Sequence, residues 1–309
     1  KVILIPAIDG KICPDQVAKI VESQSLSMDA EHIVQPKMVY ISNPTEYGTR
    51  YSLAELEALS ALCKDKCLYL YVDGARMGYG LAAKDNDTTL PDYARLCDAF
   101  YIGGTKVGAM FGEIVVIPNP SIAEDFRYLM KQRGGMLAKG WLLGLQFEAL
   151  FEEDLYLQIS AHADKMADQI RKTLVDSGYT LYLPADTNQI FVTLPDSLLA
   201  ELGREFTYAS WEKADENSTT VRFCTSWATT QENVEKLSLK EQMEEFMFLG
   251  LRMCAGVEEE DFRINFGKSM EEVYGKVIES NMAEGLLEYK ENGIQPGRRL
   301  ALTKKGIDI

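Results

Sequence analysis

Histidine is nearly missing from this chain: its 309 residues contain two, His32 and His162. The closest cysteine pair, Cys63 and Cys67, needs two further soft ligands to hold a metal ion, so this scarcity argues against a metal site. Long apolar runs are also missing, and no stretch is long enough to cross a bilayer. Positive charge is in deficit, with 32 Lys plus Arg against 47 Asp plus Glu and a formal net charge of −15. Nucleic-acid affinity comes largely from cations neutralising phosphates, so no nucleic-acid partner is expected. The six cysteines are scattered in mostly apolar surroundings. A chain of this size does not need disulfides, which predicts reduced thiols and a cytoplasmic protein. With 46% hydrophobic and 26% charged residues, the composition is that of a globular protein with room for two or three cores.

Against these absences stand two short motifs. Leu68-Tyr-Leu-Tyr-Val-Asp-Gly-Ala-Arg76 ends an apolar run on Asp73, and Tyr101-Ile-Gly-Gly-Thr-Lys-Val-Gly-Ala109 places Lys106 just after the next. An acid and a lysine in that relation suit pyridoxal phosphate: the carboxylate keeps the pyridine nitrogen protonated, and the amine holds the aldehyde as a Schiff base. Glycines at 103, 104 and 108 let backbone approach a ligand closely. The tyrosines Tyr69, Tyr71, Tyr79 and Tyr101 read as packing.

From Lys1 to about Phe126, β-rich runs alternate with helical ones, the pattern of a parallel sheet with crossover helices. Strands are predicted at Val2 to Pro6, Met38 to Ser42, Leu68 to Val72, Ala99 to Ile102 and Glu113 to Ile117. Helices are predicted at Cys13 to Val21 and at Ser52 to Lys66, where Ser52 and Glu55 have capping-box spacing. Ligands of open parallel sheets lie beyond the carboxyl ends of strands, where Asp73 and Lys106 fall. Further on, Leu137 to Asp154 and Leu155 to Gly178 read as helices. Tyr179 to Leu183, Gln189 to Thr193 and Thr220 to Cys224 read as strands, with a helix from Asp196 to Leu202. A helix begins at Thr230. Ser238 to Met253 is strongly amphipathic, followed by helices Asp261 to Phe266 and Met270 to Glu284. Strands Leu286 to Tyr289 and Arg299 to Thr303 then flank an Asn292-Gly293 turn.

Residues 1 to about 237 resemble the threonine aldolase and β-eliminating lyase family of fold-type I pyridoxal phosphate enzymes. The resemblance runs through Ile41-Ser-Asn-Pro-Thr-Glu-Tyr-Gly-Thr-Arg50, Val72-Asp-Gly-Ala-Arg76, Gly103-Gly-Thr-Lys-Val-Gly108, Gln132-Arg-Gly-Gly-Met136 and Val221-Arg-Phe-Cys-Thr-Ser-Trp227. Five motifs in order are specific where one would be weak. The resemblance implies that Asp73 is the partner of the pyridine nitrogen and Lys106 the Schiff-base lysine. It implies that Arg76, itself near the cofactor, and Arg222 hold the substrate carboxylate, and that Ser42, Thr45 and Thr105 lie near the cofactor, Thr105 as a phosphate contact or as a cap. The implied reaction splits the Cα–Cβ bond of a β-hydroxy-α-amino acid, threonine giving glycine and acetaldehyde. β-Elimination, transamination and a catalytically dead chimeric fragment are the alternatives. An intact enzyme of this kind is expected to be a homodimer or homotetramer.

Relative to that family, the upstream third of the large domain, with its phosphate-binding turn and cofactor-stacking histidine, is expected to be missing. Residues 238–309 resemble the C-terminal domain of oxygen-independent coproporphyrinogen oxidase-like radical SAM proteins, through Leu239 to Arg252 and Leu300 to Asp308. The expected architecture is α/β: a truncated cofactor-binding large domain at 1–126 with a mostly parallel sheet, a smaller α+β domain at 127–237, and a winged-helix unit at 238–309. The junction falls inside one helix and reads as a join of two truncated genes. A winged helix invites a DNA-binding reading, but 10 Lys plus Arg against 14 Asp plus Glu give this segment a net charge of −4.

Overall fold

The computed structural model describes residues 1–27, 30–252, 256–291 and 298–307. They fall into two units, residues 1–171 with 179–230 and residues 172–178 with 231–309.

In the first unit, β1 (Met38–Ser42), β2 (Tyr69–Asp73), β3 (Ala99–Gly103) and β4 (Glu113–Val116) form one sheet in that spatial order. The first three strands are parallel, and β4 returns antiparallel to β3. Side chains alternate across a strand. Val39, Ile41, Leu70, Val72, Phe100 and Ile102 therefore share one face and build the core. Tyr40, Tyr71, Asp73 and Tyr101 share the other, which is half-buried or exposed. Helix Leu53–Asp65 covers the core face with Leu56, Leu59 and Cys63. Its start is fixed by the expected capping box, in which the Ser52 hydroxyl accepts from Glu55 N–H and the Glu55 carboxylate accepts from Ser52 N–H.

The same unit contains helix Trp141–Phe151, residues 155–171 of helix Leu155–Asp176 and a second sheet. That sheet orders β5 (Gln189–Pro195), β7 (Ser218–Cys224) and β6 (Ala209–Lys213), all antiparallel. Helix Asp196–Leu202 follows β5, as expected.

Several expectations need correction. Residues 2–6 form no strand: Val2 and Leu4 are exposed, and among the described residues no strand pairs with them. Apolar alternation cannot make a strand without a neighbour to complete its hydrogen bonds. Tyr179 to Leu183 is reduced to one bridge, Leu181 to Val192, next to Pro184, which has no N–H to donate. The helix expected from Leu137 begins at Trp141. Strand β6 was not anticipated, because all five of its residues are exposed and Ala-Ser-Trp-Glu-Lys carries no alternation.

The second unit holds helix Gln231–Arg252, β8 (Val257–Glu258), helices Glu259–Phe266 and Met270–Ala283, β9 (Leu287–Glu291) and β10 (Arg298–Leu302). Its sheet runs β8–β10–β9, antiparallel throughout. Met243, Met247, Val257, Phe262, Met270, Ile278, Leu287 and Leu300 form its core. Residue 237 does fall inside one uninterrupted helix, Gln231–Arg252. The Asn292-Gly293 turn, Met253 and Cys254 lie outside the described residues.

Candidate active site

At the carboxyl end of β2, Asp73 is held by three donors. Ala75 N–H donates to Oδ1 at 3.0 Å. The Tyr101 hydroxyl donates to Oδ1 and the Tyr40 hydroxyl to Oδ2. Strand register brings this about: Tyr40 lies opposite Tyr71 in β1–β2, and the β2–β3 pairing of Val72 with Phe100 carries on to set Tyr101 beside Asp73. Ser42 pairs with Asp73 directly across β1–β2, so it shares the same strand end. Burial, followed by the hydrogen bond and charge of Asp73, pushes both phenols, Tyr40 and Tyr101, well above the ordinary tyrosine range. Tyr101 is thus not only a packing residue, and Tyr40 was not anticipated.

The turn bearing Lys106 is pinned on both sides. Gly103 N–H donates to Gly74 carbonyl at 2.9 Å, tying the end of β3 to the residue after Asp73. The buried Tyr79 donates its hydroxyl to the Lys106 carbonyl. Gly104 N–H donates to Glu113 Oε2 at 2.5 Å, and the Thr105 hydroxyl to Glu113 Oε1 at 3.1 Å. Glycine is required at 103 and 104 for space: a Cβ at Gly103 would collide with the Ala75 carbonyl, and one at Gly104 would come within 2.7 Å of the Gly112 carbonyl. Lys106 itself is exposed at the tip of this turn.

Arg76 caps helix Met77–Ala82, and its Nη1 lies 3.5 Å from Glu46 Oε2. Glu46 is the exposed residue of a turn fixed beneath it: Thr45 N–H donates to Thr49 carbonyl at 2.8 Å, and the two buried threonine hydroxyls lie 2.6 Å apart. Arg222 and Cys224, two apart on β7, lie on one face of their strand. Arg222 Nη1 donates to Gln189 Oε1 at 3.3 Å, and its guanidinium lies 6.0 Å from the Trp211 ring centre. Its Nε–H is buried without an acceptor among the described residues.

The charges of these groups reach Cys224. The residue is open to solvent, yet neighbouring atoms crowd its thiol enough that desolvation raises its pKa. The charges of Arg222, Arg76 and Lys106 oppose that rise, and Glu46 adds to it. Three cations from a strand, a helix start and a glycine turn thus act on one thiol. The histidines stand apart: His162 meets the Thr229 carbonyl at 2.7 Å, and His32 lies in a short 3-10 turn.

A carboxylate offers about four lone-pair positions. Among the described residues three of those on Asp73 are filled, which leaves one for a protonated ring nitrogen. With the exposed Lys106 amine and the glycine approach, the residues fit the ring and aldehyde ends of pyridoxal phosphate. The Thr105 hydroxyl donates its proton to the Glu113 carboxylate, an acceptor that a phosphate would have to displace.

The sequence matches the β-eliminating lyase family over residues 2–197 and the HemN C-terminal domain over residues 237–309. It is 30% identical over 243 residues to a low specificity L-threonine aldolase of Pseudomonas aeruginosa, covering 77% of this chain and 67% of that one. A structure of Leishmania major threonine aldolase superposes with a TM-score of 0.76 at 42% identity, over 79% of this chain and 70% of that one. The C-terminal stretch is 40% identical over 77 residues to the heme chaperone HemW of Lactococcus lactis, 25% of this chain and 19% of that protein. The chain spans about two thirds of the length of these two aldolases. Its first unit has the fold-type I architecture, and on the strength of the match over residues 2–197 the chain belongs to the β-eliminating lyase family.

Proposed function

We propose that the first unit serves a pyridoxal phosphate-dependent lyase that splits the Cα–Cβ bond of a β-hydroxy-α-amino acid, threonine giving glycine and acetaldehyde. The observation that carries this reading is the 2.9 Å hydrogen bond from Gly103 N–H to the Gly74 carbonyl, which ties the turn bearing Lys106 to the strand end that bears Asp73. When bound, the cofactor supplies an aldehyde for amines and an electron-withdrawing ring. Asp73 sets its carboxylate against the ring nitrogen, with Ser42 at the adjoining strand end. Lys106 Nζ would hold the aldehyde, and its amine would be the group that accepts or returns a proton there. Arg76 and Arg222 grip the substrate carboxylate; a guanidinium fork meets a carboxylate in two parallel hydrogen bonds, which fixes the bond to be cleaved relative to the ring. Glu46 stands against Arg76 at 3.5 Å and is the group that an incoming carboxylate exchanges with.

The cofactor-binding part is assigned to 1–126, the smaller domain to 127–237, and 238–309 to a winged-helix unit in a cytoplasmic homodimer or homotetramer. Nucleic-acid binding is not part of this reading. Of the cations near the C-terminus, Lys290 pairs with Glu288, Arg298 with Glu259 and Arg299 with Glu258.

L-Threonine incubated with the chain and pyridoxal phosphate should give equal amounts of glycine and acetaldehyde. Lys106→Ala should reduce product to background and remove the borohydride-reducible cofactor adduct at residue 106. Adduct formation with 2-oxobutanoate and ammonia as the products of threonine would replace aldol cleavage by β-elimination.

A further inference from the structure

We infer that Tyr40 and Tyr101 are positioning residues for Asp73: their hydroxyls grip its carboxylate from the two neighbouring strands and leave one lone pair open for a ring nitrogen. This rests on the reading of Asp73 as the ring-nitrogen partner. Tyr40 reaches in from β1 to Oδ2 and Tyr101 from β3 to Oδ1, where Ala75 N–H donates as well. With both oxygens held, the carboxylate plane cannot turn about its Cβ–Cγ bond. The open lone pair, on Oδ2, then has a fixed direction.

Packing alone does not account for Tyr40. The residue is 52% exposed, so it removes little apolar surface from water, yet its hydroxyl meets the acid. Its ring stacks on Tyr71 with centroids 5.4 Å apart and planes 16° from parallel, which restricts the rotation that would carry the hydroxyl away. Hydrogen bonds donated to a carboxylate favour its ionised form. A charged acid favours the protonated form of a ring nitrogen, so the two phenols would act on the cofactor through Asp73 without touching it.

The first test needs no cofactor. In the full chain labelled at the tyrosine ring carbons, the resonances of residues 40 and 101 are identified by Tyr40→Phe and Tyr101→Phe and followed against pH. In Asp73→Asn both should titrate at lower pH by about one unit or more, because the acceptor's charge is gone. Resonances that do not move when Asp73 is neutralised overturn the inference.

The second test compares affinity for pyridoxal phosphate with that for an analogue carrying carbon in place of the ring nitrogen. Each phenylalanine variant should lose about tenfold of the preference for the nitrogen ring and leave affinity for the carbon analogue unchanged. A merely structural role would weaken both ligands alike. Should the unaltered chain show no preference for the nitrogen ring, the reading of Asp73 fails. Should it show one that Tyr40→Phe and Tyr101→Phe both keep, the tyrosine inference fails and that reading stands.

Discussion

In the parallel sheet, the face that carries Tyr40, Tyr71, Asp73 and Tyr101 stays half-buried or open, and the acid on it is met by phenols. In the β8–β10–β9 sheet, Val257 and Leu300 lie opposite each other in register, are fully enclosed, and meet Phe262, Met270 and Leu287. Polar groups of the first sheet end on a convergent site. Those of the second pair with one another at its surface, as Arg299 does with Glu258 at 2.7 Å. The first face belongs to the proposed site, whereas burial explains the second. The contrast predicts that damage to the second unit should cost stability and leave chemistry intact.

Phe262→Ala breaks the comparison most sharply. Phe262 is fully buried and its ring centre lies 4.8 Å from that of Phe266, 5.8 Å from Phe246 and 6.0 Å from Tyr274. Removing such a ring costs about 3–5 kcal/mol. Denaturant unfolding should show that loss in one transition, while cofactor uptake at Lys106 persists. Loss of cofactor uptake in the same variant would mean that the two regions are not independent.

Asp164 supplies the counterpart in the first unit, a buried group that neither chemistry nor packing explains. It is 5% exposed, and neither carboxylate oxygen has a hydrogen-bond partner among the described residues. Desolvation raises its pKa to about 8, opposed by Arg171 and Arg50 and assisted by Asp186 and Asp168. The unfolded chain loses this proton near pH ~3.9. From there up to about pH 8 the folded state holds a proton that the unfolded state has lost, so stability falls as pH rises across that window and levels off above it. Asp164→Asn removes the dependence. Its advantage over the unaltered chain should grow by a few kcal/mol between about pH 4 and about pH 9, read from denaturant midpoints. A constant difference across that range would show that Asp164 is ionised in the folded chain.

How far these regions could be read from the sequence depended on whether the signal was local. Asp73, Lys106 and Arg222 sit in motifs whose neighbours announce them, and the Gly103-Gly104 pair implies close approach before any coordinates exist. Tyr40 carries no such mark: its partner lies 33 residues away and is reached only through strand register. Asp164 was equally silent, because an acid on an amphipathic helix reads as a solvated one until the fold encloses it. Val2 to Pro6 erred in the opposite direction, with a clear local pattern and no neighbour to pair with. β6 shows that an edge strand needs no apolar alternation when its partner already supplies the hydrogen bonds.

The smallest expected effect sets the two regions against each other on equal terms, because each starts a helix with the same device. Ser52 and Glu55 exchange bonds of 3.3 and 2.8 Å, and Ser269 and Glu272 bonds of 3.1 and 2.7 Å. An N-cap Ser→Ala substitution costs about 0.5–2 kcal/mol. The box at Ser52 is part-buried, and Glu55 also accepts from Lys11 Nζ at 2.8 Å, so loss of the serine unsettles a three-residue network. The box at Ser269 is solvated, and water replaces what is lost. Ser52→Ala should therefore fall in the upper half of that range and Ser269→Ala in the lower, measured as shifts of denaturant midpoint. Equal costs would show that the capping bond itself, and not the burial around it, sets the energy in both regions.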